Sequence, residues 1–322
     1  MRLDAPAAAT RARLPAIDAA CGVAIISMAV YHFSWDLRFF GFIAVDVTQE
    51  IGWRIFARLI AGTFLGLVGA SLVLSASRGL DRGRFLRRLG IVAAAAAAIS
   101  AVTFVMMPDA FIFFGILHCI AVASVLGLVF VRAPLAVVIG ASILAFLAPG
   151  LFAGPALAHP ALLWLGLSGT LPRSNDFVPL FPWFGVVLAG IAVARLAPLV
   201  WQGDLPLREV RGPVGQALVW AGRHSLGIYL IHQPLLIGVV YLAAQIAPPD
   251  LLAFEGQFVE SCTQSCVASG AETAQCGQIC GCIAGRTQAE GLWRALMQNG
   301  LNEAQMSRYF VIADECRAVP PR

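Results

Sequence analysis

The chain is 322 residues long, 59% hydrophobic and 12% charged, with a mean hydropathy of +0.80, a balance that points to a bilayer rather than water as its solvent. All 22 basic residues are Arg, which excludes a Lys Schiff base and a Walker lysine on a phosphate. The net charge of +4 divides unevenly, with 17 Arg against 10 acids in 1–249 and 5 against 8 in 250–322; the Arg residues sit between apolar runs, where they set membrane topology, so nucleic acid is not an expected partner.

Seven runs are long and apolar enough to cross a bilayer, approximately 17–40, 52–77, 87–107, 112–131, 133–152, 179–199 and 214–247. The segment 157–169 is shorter and reads as re-entrant or interfacial. The expected fold is therefore all-α: a polytopic transmembrane bundle of seven to eight spans over 1–247, then a small helical tail over 248–322. The first run follows Arg2, Arg11 and Arg13 without a small-residue cleavage site and is expected to stay attached. Arg also collects at Arg78, Arg82, Arg84, Arg87 and Arg88, at Arg132, and between Arg195 and Arg223. With seven spans all these groups fall on the cytoplasmic side, and the tail falls outside the cytoplasm.

Along the first run, Asp18 reads as a helix N-cap. Near the far end of that run, His32 and Asp36 are four residues apart on one helical face beside Tyr31 and Trp35. The carboxylate could orient the imidazole as half of an acid/base apparatus, or both could belong to an interfacial aromatic belt. Glu50, Arg54 and Arg58 share a face at the start of the second run, where Glu50 can pair with Arg54. Gly62, Gly66 and Gly69, and the run Ala93 to Ala98, offer small surfaces for close packing. His118 lies in an apolar span and must find a hydrogen bond, either lining a pocket or tying two helices. Asp176 precedes two prolines and Trp183 at the entrance to the sixth run. In RHSLGIYLIHQPLL, His232 lies eight residues beyond His224 on the same face and is the better pocket candidate.

In the tail, Cys262-x3-Cys266 and Cys276-x3-Cys280 each lie on one face of a helix. A helical hairpin brings Cys262 beside Cys280 and Cys266 beside Cys276, leaving Cys282 for Cys316. A segment this short has little core, so disulfides are expected in an oxidising compartment. A zinc site is the rival reading, but the tail lacks His and C-x2-C, and no metal is expected.

Four motifs in order, IDAACGVAIISMAVYHFSWDL, FFGILHCIAVAS, SNDFVPLFPWFGVVLAG and GRHSLGIYLIHQPLL, resemble the catalytic membrane domain of the heparan-alpha-glucosaminide N-acetyltransferase family in its compact bacterial form, over roughly 11–245. The resemblance implies a membrane acyltransferase with acetyl-CoA as co-substrate on the cytoplasmic side and a sugar amine or hydroxyl on the far side. It points to His32 as base or transient acyl carrier, with Asp36 as orienter. The wider superfamily has Arg where this chain has Cys21, which removes a plausible partner for Asp18 or for the CoA phosphates; Cys21 is then a thiol acyl acceptor or a small core residue. Arg13, Arg84, Arg87, Arg88 and Arg223 are the remaining cations for a donor-side anion site. The expected location is the bacterial inner membrane, multi-pass, with the N-terminus cytoplasmic and the tail periplasmic. Expected partners are membrane lipid and a glycan or other envelope acceptor, with a homodimer left open. A small-solute transporter and a noncatalytic anchor presenting the cysteine tail are the competing readings.

Overall fold

The computed structural model describes residues 14–318 apart from 44, 78, 170–171, 201–209, 250 and 298–300. Arg2, Arg11, Arg13 and Arg78 lie outside the described residues. Among the described residues twelve α-helices follow one another: α1 (Pro15–Phe39), α2 (Ile51–Ser77), α3 (Arg82–Met106), α4 (Ile116–Phe130), α5 (Leu135–Phe152), α6 (Leu180–Val200), α7 (Pro213–Arg223), α8 (Ser225–Ile246), α9 (Glu255–Ala268), α10 (Thr273–Ala289), α11 (Trp293–Met297) and α12 (Glu303–Ala318). No strand occurs among the described residues. Among the described residues six helices, α1, α2, α3, α5, α6 and α8, are long and apolar enough to span a membrane. Their outward faces carry exposed Ile91, Val105, Val193 and Ile246, the pattern expected when hydrocarbon is the solvent.

Two expected boundaries are corrected. The run 112–131 yields only α4, because 111–115 is non-helical up to the N-cap at Gly115. The run 214–247 is two helices, α7 and α8, with His224 as the α7 C-cap. The segment 157–169 makes short 3-10 turns, Pro155–Leu157 and Pro160–Leu165, where each proline removes a donor and starts a new turn. Asp18 is not an N-cap either. The helix starts at Pro15, which suits a first helical position, and Asp18 sits within the first turn.

The chain divides into two compact units, Met1–Met28 with Ile55–Ile231, and Ala29–Arg54 with His232–Arg322. In the first, Leu65, Val68 and Leu72 of α2, Cys119 and Ala123 of α4, Val138 of α5 and Val187, Leu188 and Ile191 of α6 form the core. Ser142 donates to the Gly185 carbonyl at 2.8 Å, tying α5 to α6. Glycine permits two close crossings. A Cβ on Gly69 would collide with the Val187 carbonyl oxygen and one on Gly190 with Gly66, so α2 and α6 meet backbone to backbone. Likewise a Cβ on Gly22 would strike the Leu218 carbonyl and one on Gly222 the Asp18 carbonyl, which fixes α1 against α7. Gly62 faces open space, so only part of the expected glycine surface is used. Of the alanine run, Ala95 and Ala96 are the buried members, packed with Leu117.

In the second unit, α9 and α10 form the hairpin read from the cysteine spacing, turning at Gly270 (φ +98°). The expected disulfides are all present: Cys262–Cys280, Cys266–Cys276 and Cys282–Cys316, with Cα separations of 5.9, 5.7 and 5.8 Å. Ile283, Leu292, Ile312, Ala313 and Cys316 supply a small core between α10 and α12. Arg308 bridges Glu290 (2.6 Å) and Glu315 (3.3 Å), and Arg286 also pairs with Glu315. The Arg308 hydrogen bond holds the Glu290 carboxyl below its usual range. At the α1 end, the Arg38 guanidinium lies 5.1 Å over the ring of buried Phe254, a cation–π contact that ties the start of the tail to α1.

Candidate active site

Two sets of the sequence-selected residues are brought together. The first lies on α1 and α8. His32 and Asp36 are one turn apart, and on α8 His232 and Gln233 are adjacent just before Pro234. Pro234 cannot donate to the carbonyl four residues back, so the helix ladder is interrupted beside these polar side chains. The His32 and His232 rings meet edge-on with centroids 5.1 Å apart. Gln233 Nε2 donates to Asp36 Oδ1 at 2.8 Å. Asp36 is fully buried and His232 is 8% exposed. Tyr31 packs against His32 (5.7 Å) and Trp53 (6.1 Å), and Trp35 stacks on Phe39 (5.2 Å), so aromatic rings flank the cluster.

No hydrogen bond joins His32 to Asp36 among the described residues; Asp36 is held by Gln233, and His232 lies beside the His32 ring. Gln233 was not singled out in the sequence. Its signal is a lone amide inside an apolar helix, where an unsatisfied polar group is expensive.

The second set lies on α1 and α7. Arg223 donates from Nε to Asp18 Oδ2 at 3.0 Å. Asp18 therefore has a cation although position 21 is Cys. The Cys21 thiol is free and partly buried. An open cavity of about 560 Å³ adjoins Arg223, lined also by Pro15, Arg211, Gln216, Trp220 and His224. His224 donates from Nδ1 to the Trp220 carbonyl (2.9 Å), and its ring lies 4.8 Å from the Trp220 ring. Arg87 and Arg88 are exposed in the first turns of α3.

The other candidates lie outside these two sets. His118 Nδ1 accepts from the Gly115 N–H at 3.2 Å, so Nε2 carries the proton and faces Ser100 Oγ at 3.2 Å. Ser100 in turn donates to the Ile112 carbonyl. His118 thus ties α4 to α3. Asp176 accepts from the Ile116 N–H at 3.0 Å, closing the start of α4. Desolvation pushes its carboxyl up to about 6. Trp183 packs on the first unit's core. Arg54 and Arg58 are exposed on α2. No side-chain ion pair joins Glu50 to Arg54 among the described residues; their contact is the Arg54 N–H to the Glu50 carbonyl, 3.0 Å.

The chemistry of the α1–α8 cluster is that of a base beside a buried carboxylate and amide, suited to taking a proton and holding donors. Comparison with curated proteins and with solved structures gives no match. Residues 13–234 match the family of the heparan-alpha-glucosaminide N-acetyltransferase catalytic domain. That segment runs from the start of α1 through His232 and Gln233, and the chain belongs to this family of membrane acyltransferases.

Proposed function

We propose that the chain moves an acetyl group from acetyl-CoA, offered from the cytoplasm, to an amine or hydroxyl of an envelope glycan on the opposite side of the membrane. The observation that carries this reading is the ring contact between His32 and His232, which places two imidazoles from opposite ends of the family segment beside Asp36 and Gln233. His32 acts as base: it takes the proton of the attacking N–H or O–H as the new C–N or C–O bond forms. The thioester C–S bond breaks, and the CoA thiolate takes up the proton. As a transient acyl carrier, His32 would first form the bond to the acetyl carbon itself and then yield it to the acceptor.

The Asp18–Arg223 pair supports an intact donor side, because Arg223 supplies at Asp18 the cation that Cys21 does not. Arg223, Arg87 and Arg88 then serve the donor phosphates. Three disulfides in the tail favour an oxidising, periplasmic location for it. The Arg groups favour a cytoplasmic N-terminus in the inner membrane. The test is release of free CoA from acetyl-CoA by the purified protein, with and without a soluble envelope-glycan fraction. Acceptor-dependent thiol release is expected; neither release nor donor binding would leave the noncatalytic anchor as the better reading.

A further inference from the structure

Two buried oxygens in the α1–α8 cluster remain once its hydrogen bond has been assigned. An ionised carboxylate only accepts, so the amide of Gln233 must present its nitrogen to Asp36 Oδ1 and turn its oxygen elsewhere. Asp36 Oδ2 and Gln233 Oε1 are then buried without a hydrogen-bond partner among the described residues. Buried acceptors lacking donors are destabilising, most of all on a carboxylate, and such atoms recur where a ligand completes the network.

Their chemistry restricts the ligand. Both atoms accept and neither donates, so a phosphate or carboxylate would be repelled and a group with a single donor would leave one oxygen unserved. Because the two side chains are bonded to each other, covalent geometry keeps the two oxygens within about 7 Å. Donors on adjacent carbons, each reaching about 3 Å, bridge that span. His32 lies one helical turn from Asp36, about 5–6 Å between Cβ atoms. His32 and Gln233 are only partly buried, whereas the two oxygens themselves are buried.

We propose that Asp36 and Gln233 read the acceptor substrate: together they hold two hydrogen-bond donors on neighbouring carbons, an amino alcohol or a vicinal diol, and so set how its nucleophile meets His32. Calling this ligand the acceptor rests on the acyl-transfer reading; the existence of the subsite does not.

The experiment measures binding of trans-2-aminocyclohexanol, cyclohexylamine and cyclohexanol to the full-length protein in nanodiscs by ligand-observed NMR, with acetyl-CoA consumption by the same wild-type sample followed separately in the presence of the soluble envelope-glycan fraction. The expected result is a preference for the amino alcohol of about ten-fold over either single-donor ring, the worth of one charge-assisted hydrogen bond. Gln233→Met, similar in size but without the amide, loses most of the preference over cyclohexylamine. Equal binding of the three probes by the wild type overturns the proposal, as does a preference over cyclohexylamine that Gln233→Met retains. Should that variant not fold, the wild-type comparison decides. A preference without acetyl-CoA consumption keeps the subsite and removes the acyl-transfer reading; consumption without a preference does the reverse.

Discussion

Arg223 Nε and Asp18 Oδ2 meet at 3.0 Å, across 205 positions of chain. Asp18 is largely buried and Arg223 nearly half exposed, with 15% and 46% of their side-chain surfaces accessible. A pair this exposed adds at most about 1 kcal/mol to stability. Arg223→Gln should therefore hardly move the melting temperature, yet raise the KM for acetyl-CoA by about ten-fold if the guanidinium also serves the donor phosphates. An unchanged KM would remove Arg223 from the donor site.

The α1–α7 crossing sets a steric limit at the same place. A Cβ on Gly222 would overlap the Asp18 carbonyl, a backbone atom that cannot swing aside. Gly222→Ala should cost about 1–3 kcal/mol, as overpacking of close-fitted backbones does. Gly62→Ala, with nothing near its added methyl, should be neutral or slightly stabilising. Thermal unfolding of the two variants in detergent compares them.

Alkylation distinguishes the cysteines. Of the eight in the chain, Cys21 and Cys119 are free and the other six are paired. Denatured protein that has not been reduced should take up label at two positions only, read by peptide mass spectrometry. Cys282→Ser with Cys316→Ser opens a loop of 34 residues, and the tail should lose about 3–4 kcal/mol.

Asp176 gives one local pH dependence. Its carboxyl is pushed up to about 6, chiefly by desolvation, whereas an unfolded Asp titrates near about 3.9. A value raised on folding contributes stability that is full below about pH 4 and lost as pH rises through about 6. Asp176→Asn keeps an oxygen for the Ile116 N–H and removes the ionisation. Between pH 4 and 7 the wild-type melting temperature should fall by more than that of the variant.

The features legible in the sequence are those fixed by local spacing. Cysteines four apart on two facing helices leave little choice of partner, so Cys262, Cys266, Cys276 and Cys280 pair as expected. Helix ends are less legible. Hydropathy runs smoothly through 112–131 and 214–247, but backbone conformation at Gly115 and His224 breaks the helices there. The need of His118 for a hydrogen bond follows from its apolar surroundings, whereas the identity of Ser100 as partner requires the packing of α3 on α4. Gln233 was missed for the same reason. Its meaning depends on Asp36, 197 positions earlier, and no spacing rule reaches that far.

His32 is the residue proposed to perform the acyl transfer. The direct measurement is acceptor-dependent turnover of radiolabelled acetyl-CoA by purified wild type, His32→Ala and His32→Gln, with melting temperatures confirming that all three are folded. Loss of a catalytic base lowers kcat by about 10²–10⁴-fold, and both variants should show that loss with the KM for acetyl-CoA little changed. Turnover by folded His32→Ala within a few-fold of the wild type would remove His32 from the chemistry.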